Sequence, residues 1–267
     1  MTAWALGAAA FWLVPDQKLI RAKLLAVQAA VLLAGVLLVR HDAKRGGPAL
    51  RTALDLPAAA LAASGLFFWA LSPDLAVSAS EAGRLLFCGL AFWAASRSFA
   101  LTGPGPFLTA WTIGASAAAL WAVLQAVGGQ PRPFASFGNP IFLGTALASA
   151  FPVALARALK HEGRERALWG AAAALQGAGL LLTHSRSGVL GLLAGLGLCA
   201  FARLNGRRLT GALAGAAAVA GAAAWAFRDR EWTHALIWRD ALSLWRAHPL
   251  LGCGLGRFHL EFPAYAS

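Results

Sequence analysis

PFLTAWTIGASAAALWAVLQAV (Pro106 to Val127) runs for 22 residues without one charged side chain. A helix needs roughly 17 to 25 apolar residues to cross a bilayer, and only helices satisfy every backbone group in a single pass through hydrocarbon. Working outward, similar stretches recur at about 3 to 14, 24 to 39, 53 to 71, 85 to 101, 141 to 156, 167 to 182, 188 to 202 and 209 to 227. The whole chain is 59% apolar and only 13% charged, the composition of a polypeptide whose solvent is mostly lipid. The expected fold is all-α: a polytopic transmembrane bundle of eight or nine spans over residues 1–227. Residues 228–267 would then begin an external loop with an amphipathic helix. The first stretch, ending at Pro15, is short for a span and lacks the basic start and cleavage site of a secretory signal.

The formal charge of +12 does not mark a nucleic-acid protein, because the cations sit in short connections between apolar helices and form no stripe on a soluble domain. They encode topology. Connections at 40–51, 97–105, 157–166 and 203–208 together carry twelve Lys and Arg, against six on the opposite side before residue 228. The positive-inside bias puts the richer set in the cytoplasm and the tail from Arg228 to Ser267 outside. Lys18, Arg21 and Lys23 fall on the wrong side of this scheme. Cys88, Cys199 and Cys253 show no pairing or metal-ligand spacing, and no metal or cofactor is expected. Gly191 and Gly195, like the small residues from Gly211 to Gly221, are expected to form helix-packing faces. Trp69, Trp169 and Trp225 are expected as interfacial anchors.

Three polar elements interrupt the apolar pattern on the outer side. In THSRSG (Thr183 to Gly188), Arg186 sits in a turn too short to join anything but an antiparallel helix pair. Its guanidinium either snorkels from a helix end or offers a planar fork of donors to a phosphate. His184 and Ser185 add polarity beyond what a turn needs. The second element is WRDALSLWRAHPLLGCGLGRF (Trp238 to Phe258). Trp238, Leu242 and Trp245 line one face of a helix, with Arg239, Asp240, Ser243 and Arg246 on the others, so the helix should lie on the membrane surface. Pro249 ends it, and Gly252, Gly254 and Gly256 permit a tight backbone path. The third is PRPFASFGNP (Pro131 to Pro140), where Asn139 reads as a helix cap and Pro140 as a first-turn residue. Arg132 is either a phosphate ligand or a surface charge.

In this order, Phe-Gly-Asn-Pro, Ser-Arg and the Pro-x-x-Gly-x-Gly-x-x-x-Phe loop resemble the O-antigen ligase and polymerase family over Pro133 to Tyr265. The resemblance implies a bacterial inner-membrane glycosyltransferase. Its donor would be a glycan on polyprenyl pyrophosphate, and its acceptor a hydroxyl of lipid A core or of another glycan. It implies that Arg186 holds the pyrophosphate. The family's second arginine falls here on His234, and Arg230 or Arg239 would have to substitute. His184, His234, His248 and His259 match no catalytic position of the family. The family histidine lies beyond Ser267, so no catalytic base is assigned, and the chain as given is expected to bind such a lipid without transferring its glycan. Ligase and polymerase remain open on these residues. A solute transporter is the reading from another class, but the spans hold no mid-membrane charge apart from boundary arginines.

Overall fold

The computed structural model describes residues 2–45, 51–203, 211, 221 and 234–266. It is all-helical among these residues. In chain order the helices are α1 (Thr2–Leu13), α2 (Asp16–Arg45), α3 (Asp55–Ala70), α4 (Leu75–Thr102), α5 (Gly105–Val127), α6 (Pro140–Lys160), α7 (Gly163–Leu182), α8 (Arg186–Arg203), α9 (His234–Ala247) and α10 (Phe258–Glu261), with a closing 3₁₀ turn at Phe262–Ala264. The first eight coincide in position with eight of the nine apolar stretches. The ninth, 209–227, lies outside the described residues except for Gly211 and Gly221. Among the described residues four helices are long and apolar enough to cross a membrane: Ala22–Arg45 within α2, α4, α5 and α6; α1 and α3 are shorter apolar helices. Their outer surfaces carry large exposed apolar side chains such as Leu33, Leu37, Phe92 and Leu124, which hydrocarbon covers at little cost.

The chain divides into two compact units, Met1–Ala30 with Pro104–Asp229, and Val31–Gly103 with Arg230–Ser267. The first is built around α5. Ala115, Ala118, Ala119 and Ala122 are fully buried at the spacing of one helical face. Lacking bulk, they let neighbouring backbones close in. A Cβ on Gly179 of α7 would lie 3.0 Å from Cβ of Ala119, and one on Gly114 only 2.8 Å from the Trp12 ring. The doubtful first segment is therefore a true helix: Trp12 is fully buried and sits in an aromatic cluster with Phe11, Trp111 and Phe137. By contrast, a Cβ on Gly191 or Gly195 would meet nothing among the described residues. Close approaches among the described residues of this unit include those at Gly144, Gly179 and Gly188. The small-residue span from 209 to 227, the other expected packing face, lies outside the described residues except for Gly211 and Gly221.

In the second unit α3 and α4 form an antiparallel hairpin, with Gly65 against Leu85 and Gly89 against Ala62. Asp74 starts α4 by accepting from the amides of Ala76 and Val77, both at 3.0 Å. Near the other end of the hairpin Arg97 forms a two-pronged pair with Asp55, Nη1 to Oδ1 at 3.0 Å and Nη2 to Oδ2 at 3.1 Å, and its guanidinium lies over Trp93. The sequence places Arg97 in a connection. It is instead inside α4, buried, and its charge is met by a carboxylate. Its weight as a topological signal falls accordingly.

Candidate anion site at the Ser-Arg turn

Thr183, the residue after α7, and Ser185, the residue before α8, are both buried and organise the turn with their hydroxyls. Thr183 Oγ1 donates to the carbonyl of Leu180 and accepts from the amide of Ser185. Ser185 Oγ accepts from the amide of Gly188 at 3.1 Å, the bond of a helix N-cap to the third residue of its helix. That cap makes Arg186 the first residue of α8. The half-buried arginine thus stands at a helix start, where unpaired amides and the helix dipole already favour an anion. His184 takes the left-handed conformation, φ 51°, and its side chain is exposed.

The turn is pressed against α6. A Cβ on Gly144 would lie 2.5 Å from Cβ of Ser185, and one on Gly188 would lie 2.8 Å from the carbonyl carbon and oxygen of Gly144. Two glycines without side chains are what allow the polar turn to seat there.

The connection before α6 comes to the same place. Arg132 Nε donates to the carbonyl of Thr183 at 3.3 Å, so two of the expected phosphate ligands, Arg132 and Arg186, flank one turn. The loop holding Arg132 is shaped from within the helices. Gln125 Oε1 accepts from the amides of Phe134 and Ala135 at 3.0 and 2.7 Å, and Ser136 Oγ donates to the carbonyl of Trp12. Asn139 caps α6 through a 2.8 Å bond from the amide of Ile141, with Pro140 in the first turn. The sequence reading missed Gln125, although a lone amide closing an otherwise apolar span is the available signal. It also treated Lys23 as a topological anomaly. Lys23 is buried with Nζ 3.9 Å from the centre of the Phe137 ring, which makes it part of this end of the unit.

In the second unit, α9 has the amphipathic character expected, with its apolar side outward. Trp238 is 75% exposed and Trp245 56%. Its inner face is formed by Asp240 and Leu244, both buried. Asp240 thus lies on a face other than that of Trp238, Leu242 and Trp245, as expected, and that face is packed. Arg239 is largely exposed, with Nε 3.3 Å from Asp240 Oδ1. His234 is the first residue of α9, and its side chain, like all of Arg230, lies outside the described residues. His248 and His259 are exposed.

The glycine loop behaves as read. Gly252, Gly254 and Gly256 have φ of 67°, 104° and 73°, in the region that favours glycine. A Cβ on Gly254 would meet Pro73 and Arg257 at 3.0 Å, and one on Gly256 would meet Glu81 at 2.8 Å. Ser78 Oγ donates to the carbonyl of Leu255 at 2.6 Å. The loop is therefore docked by its backbone on the start of α4. Arg257, held by Glu261, belongs to this docking, and the sequence reading did not single it out.

Residues 171–267 match the O-antigen ligase family model. The O-antigen ligase match starts within α7 and takes in the Ser-Arg turn, α8, α9 and the glycine loop. Arg132, Asn139 and the cap of α6 precede it. No curated protein and no solved structure matches the chain.

Proposed function

We propose that this chain is the membrane bundle of an O-antigen ligase-like glycan transferase of the bacterial inner membrane, crossing it eight or nine times within residues 1–227. Residues 228–267 belong to its external loop. The observation that carries the reading is Arg186 at the capped start of α8, inside the segment that matches the family, with Arg132, from before that segment, against the same turn. A polyprenyl pyrophosphate laid there meets two guanidiniums and the unpaired amides of a helix. The acceptor hydroxyl attacks the anomeric carbon of the glycan, the bond to pyrophosphate breaks, and the acceptor proton passes to a base. Negative charge grows on the departing phosphate, and Arg186 is placed to stabilise it. Arg239 and Arg230 remain candidate phosphate donors in this reading, with His184, Ser185, His234, Gly254 and Gly256 as candidate supporting residues. Ser185 acts through the cap, and the glycines by seating the loop.

Transfer from a lipid-linked glycan in proteoliposomes of the full-length protein tests the reading. Arg186→Ala should lower turnover by about 100-fold, the scale of losing one preorganised donor to developing charge. Arg186→Lys should recover only part, because an ammonium lacks the planar fork. Wild-type turnover by a folded Arg186→Ala protein would refute the role. Supplying lipid A core and free glycan as competing acceptors distinguishes attachment, which the reading favours, from polymerisation. For the topology, single cysteines at Ala264 and Glu162 in a cysteine-free background should react with an impermeant reagent only at position 264. Labelling at 162 alone would invert the orientation.

A further inference from the structure

At the end of the first unit opposite the Ser-Arg turn, α5, α6 and α7 enclose a groove of about 780 Å³. Its mouth is cationic. Arg157, in the last turn of α6, reaches across to α5, donating from Nη1 to Thr109 Oγ1 at 2.7 Å and from Nη2 to the carbonyl of Gly105 at 3.0 Å. The Trp169 ring of α7 lies 4.5 Å from its guanidinium carbon. All three partners are neutral, and among the described residues Arg157 forms no salt bridge. Lys160 stands beside it, exposed. The acidic residue of the groove, Glu165, is bonded to His161. Beside them the groove offers the aliphatic side chains of Ile113 and Leu168, which are 61% and 59% exposed, and further along α5 the hydroxyls of Thr112 and Ser116 are spent on the carbonyls of Leu108 and Thr112.

The groove therefore runs from two cations through an indole to bare aliphatic surface. From Gly105 to Ser116, both on its lining, α5 rises about 16 Å at 1.5 Å per residue, well past the depth of a headgroup. We propose that this groove binds one anionic glycerophospholipid of the membrane leaflet opposite the Ser-Arg turn. Its phosphate lies at Arg157 and Lys160, and one acyl chain lies along Ile113 and Leu168. Charge complementarity selects the headgroup, because a cation held only by neutral groups keeps its full attraction for phosphate. The continuation into apolar surface selects a lipid over a free ion. The site is separate from the proposed transfer chemistry, so glycan transfer can fail at Arg186 while lipid binding stands, and the reverse.

Native mass spectrometry of the full-length protein, released from nanodiscs of mixed phosphatidylglycerol and phosphatidylcholine, tests it. The wild type should retain one phosphatidylglycerol in preference to phosphatidylcholine. Lys160→Gln should weaken that retention about five-fold, as loss of one lysine at an anionic surface implies. Ile113→Trp should do so by filling the apolar end while leaving both cations. Arg157 is spared in these variants because it also ties α6 to α5. Equal retention of the two lipids by wild type, or unchanged retention by both variants, overturns the proposal. So does displacement of the lipid by millimolar inorganic phosphate, which would make the mouth a site for the ion alone.

Discussion

The Ser-Arg turn and the glycine loop are both short polar segments between apolar elements, and they are built in opposite ways. The turn is held by side chains: Thr183 and Ser185 spend their hydroxyls on backbone groups, and the glycines that matter, Gly144 and Gly188, mark where it presses on α6. The loop is held by main chain, through three left-handed glycines and a carbonyl taken by Ser78. The difference teaches what each can present. Hydroxyl caps aim a side chain, Arg186, from the start of a helix. Glycines bring the backbone itself close to a neighbour.

The largest effect is expected at Gly188→Ala. Its Cβ would meet the backbone of Gly144 at 2.8 Å, and backbone cannot swing aside, so a loss of about 3 kcal/mol is expected, at the upper end of ordinary overpacking. Unfolding in mixed micelles measures it; an unchanged midpoint would show that the turn does not sit tightly on α6. Next comes Gly254→Ala, with left-handed strain and contacts at 3.0 Å, at about 2 kcal/mol. Gly252→Ala, at φ 67°, stays within the ordinary left-handed region and has open space around it, so it should cost about 1 kcal/mol. If the two alanines cost the same, docking of the loop on the start of α4 contributes nothing. Ser185→Ala is expected to cost about 1 kcal/mol as a lost cap, and also to lower transfer, because Arg186 loses its fixed place. Turnover that survives while stability falls would separate the cap from the chemistry.

Much of this was legible beforehand because it is local. Apolar length located eight helices. Asn139 before Pro140 announced the start of α6, since a cap acts within three residues of itself. The Trp238, Leu242 and Trp245 spacing described α9 as the structure has it, and three glycines in five residues signalled a backbone that must turn left. The burial of Asp240 was not legible, because helical spacing gives a face but not what packs against it.

By itself the sequence determined the all-helical class, the places of eight helices, the capped start of α6 and the identity of the polar interruptions, because hydropathy and capping are properties of neighbouring residues. Only the tertiary structure decided the pairings: Arg97 with Asp55, Arg132 with Thr183, Arg157 across to Thr109, and Gly188 against Gly144. Each joins residues more than 40 positions apart. Whether a boundary arginine meets a carboxylate, a carbonyl or a phosphate depends on which helices stand beside it, and helix packing in lipid is chosen by the fit of small surfaces that look alike along the chain.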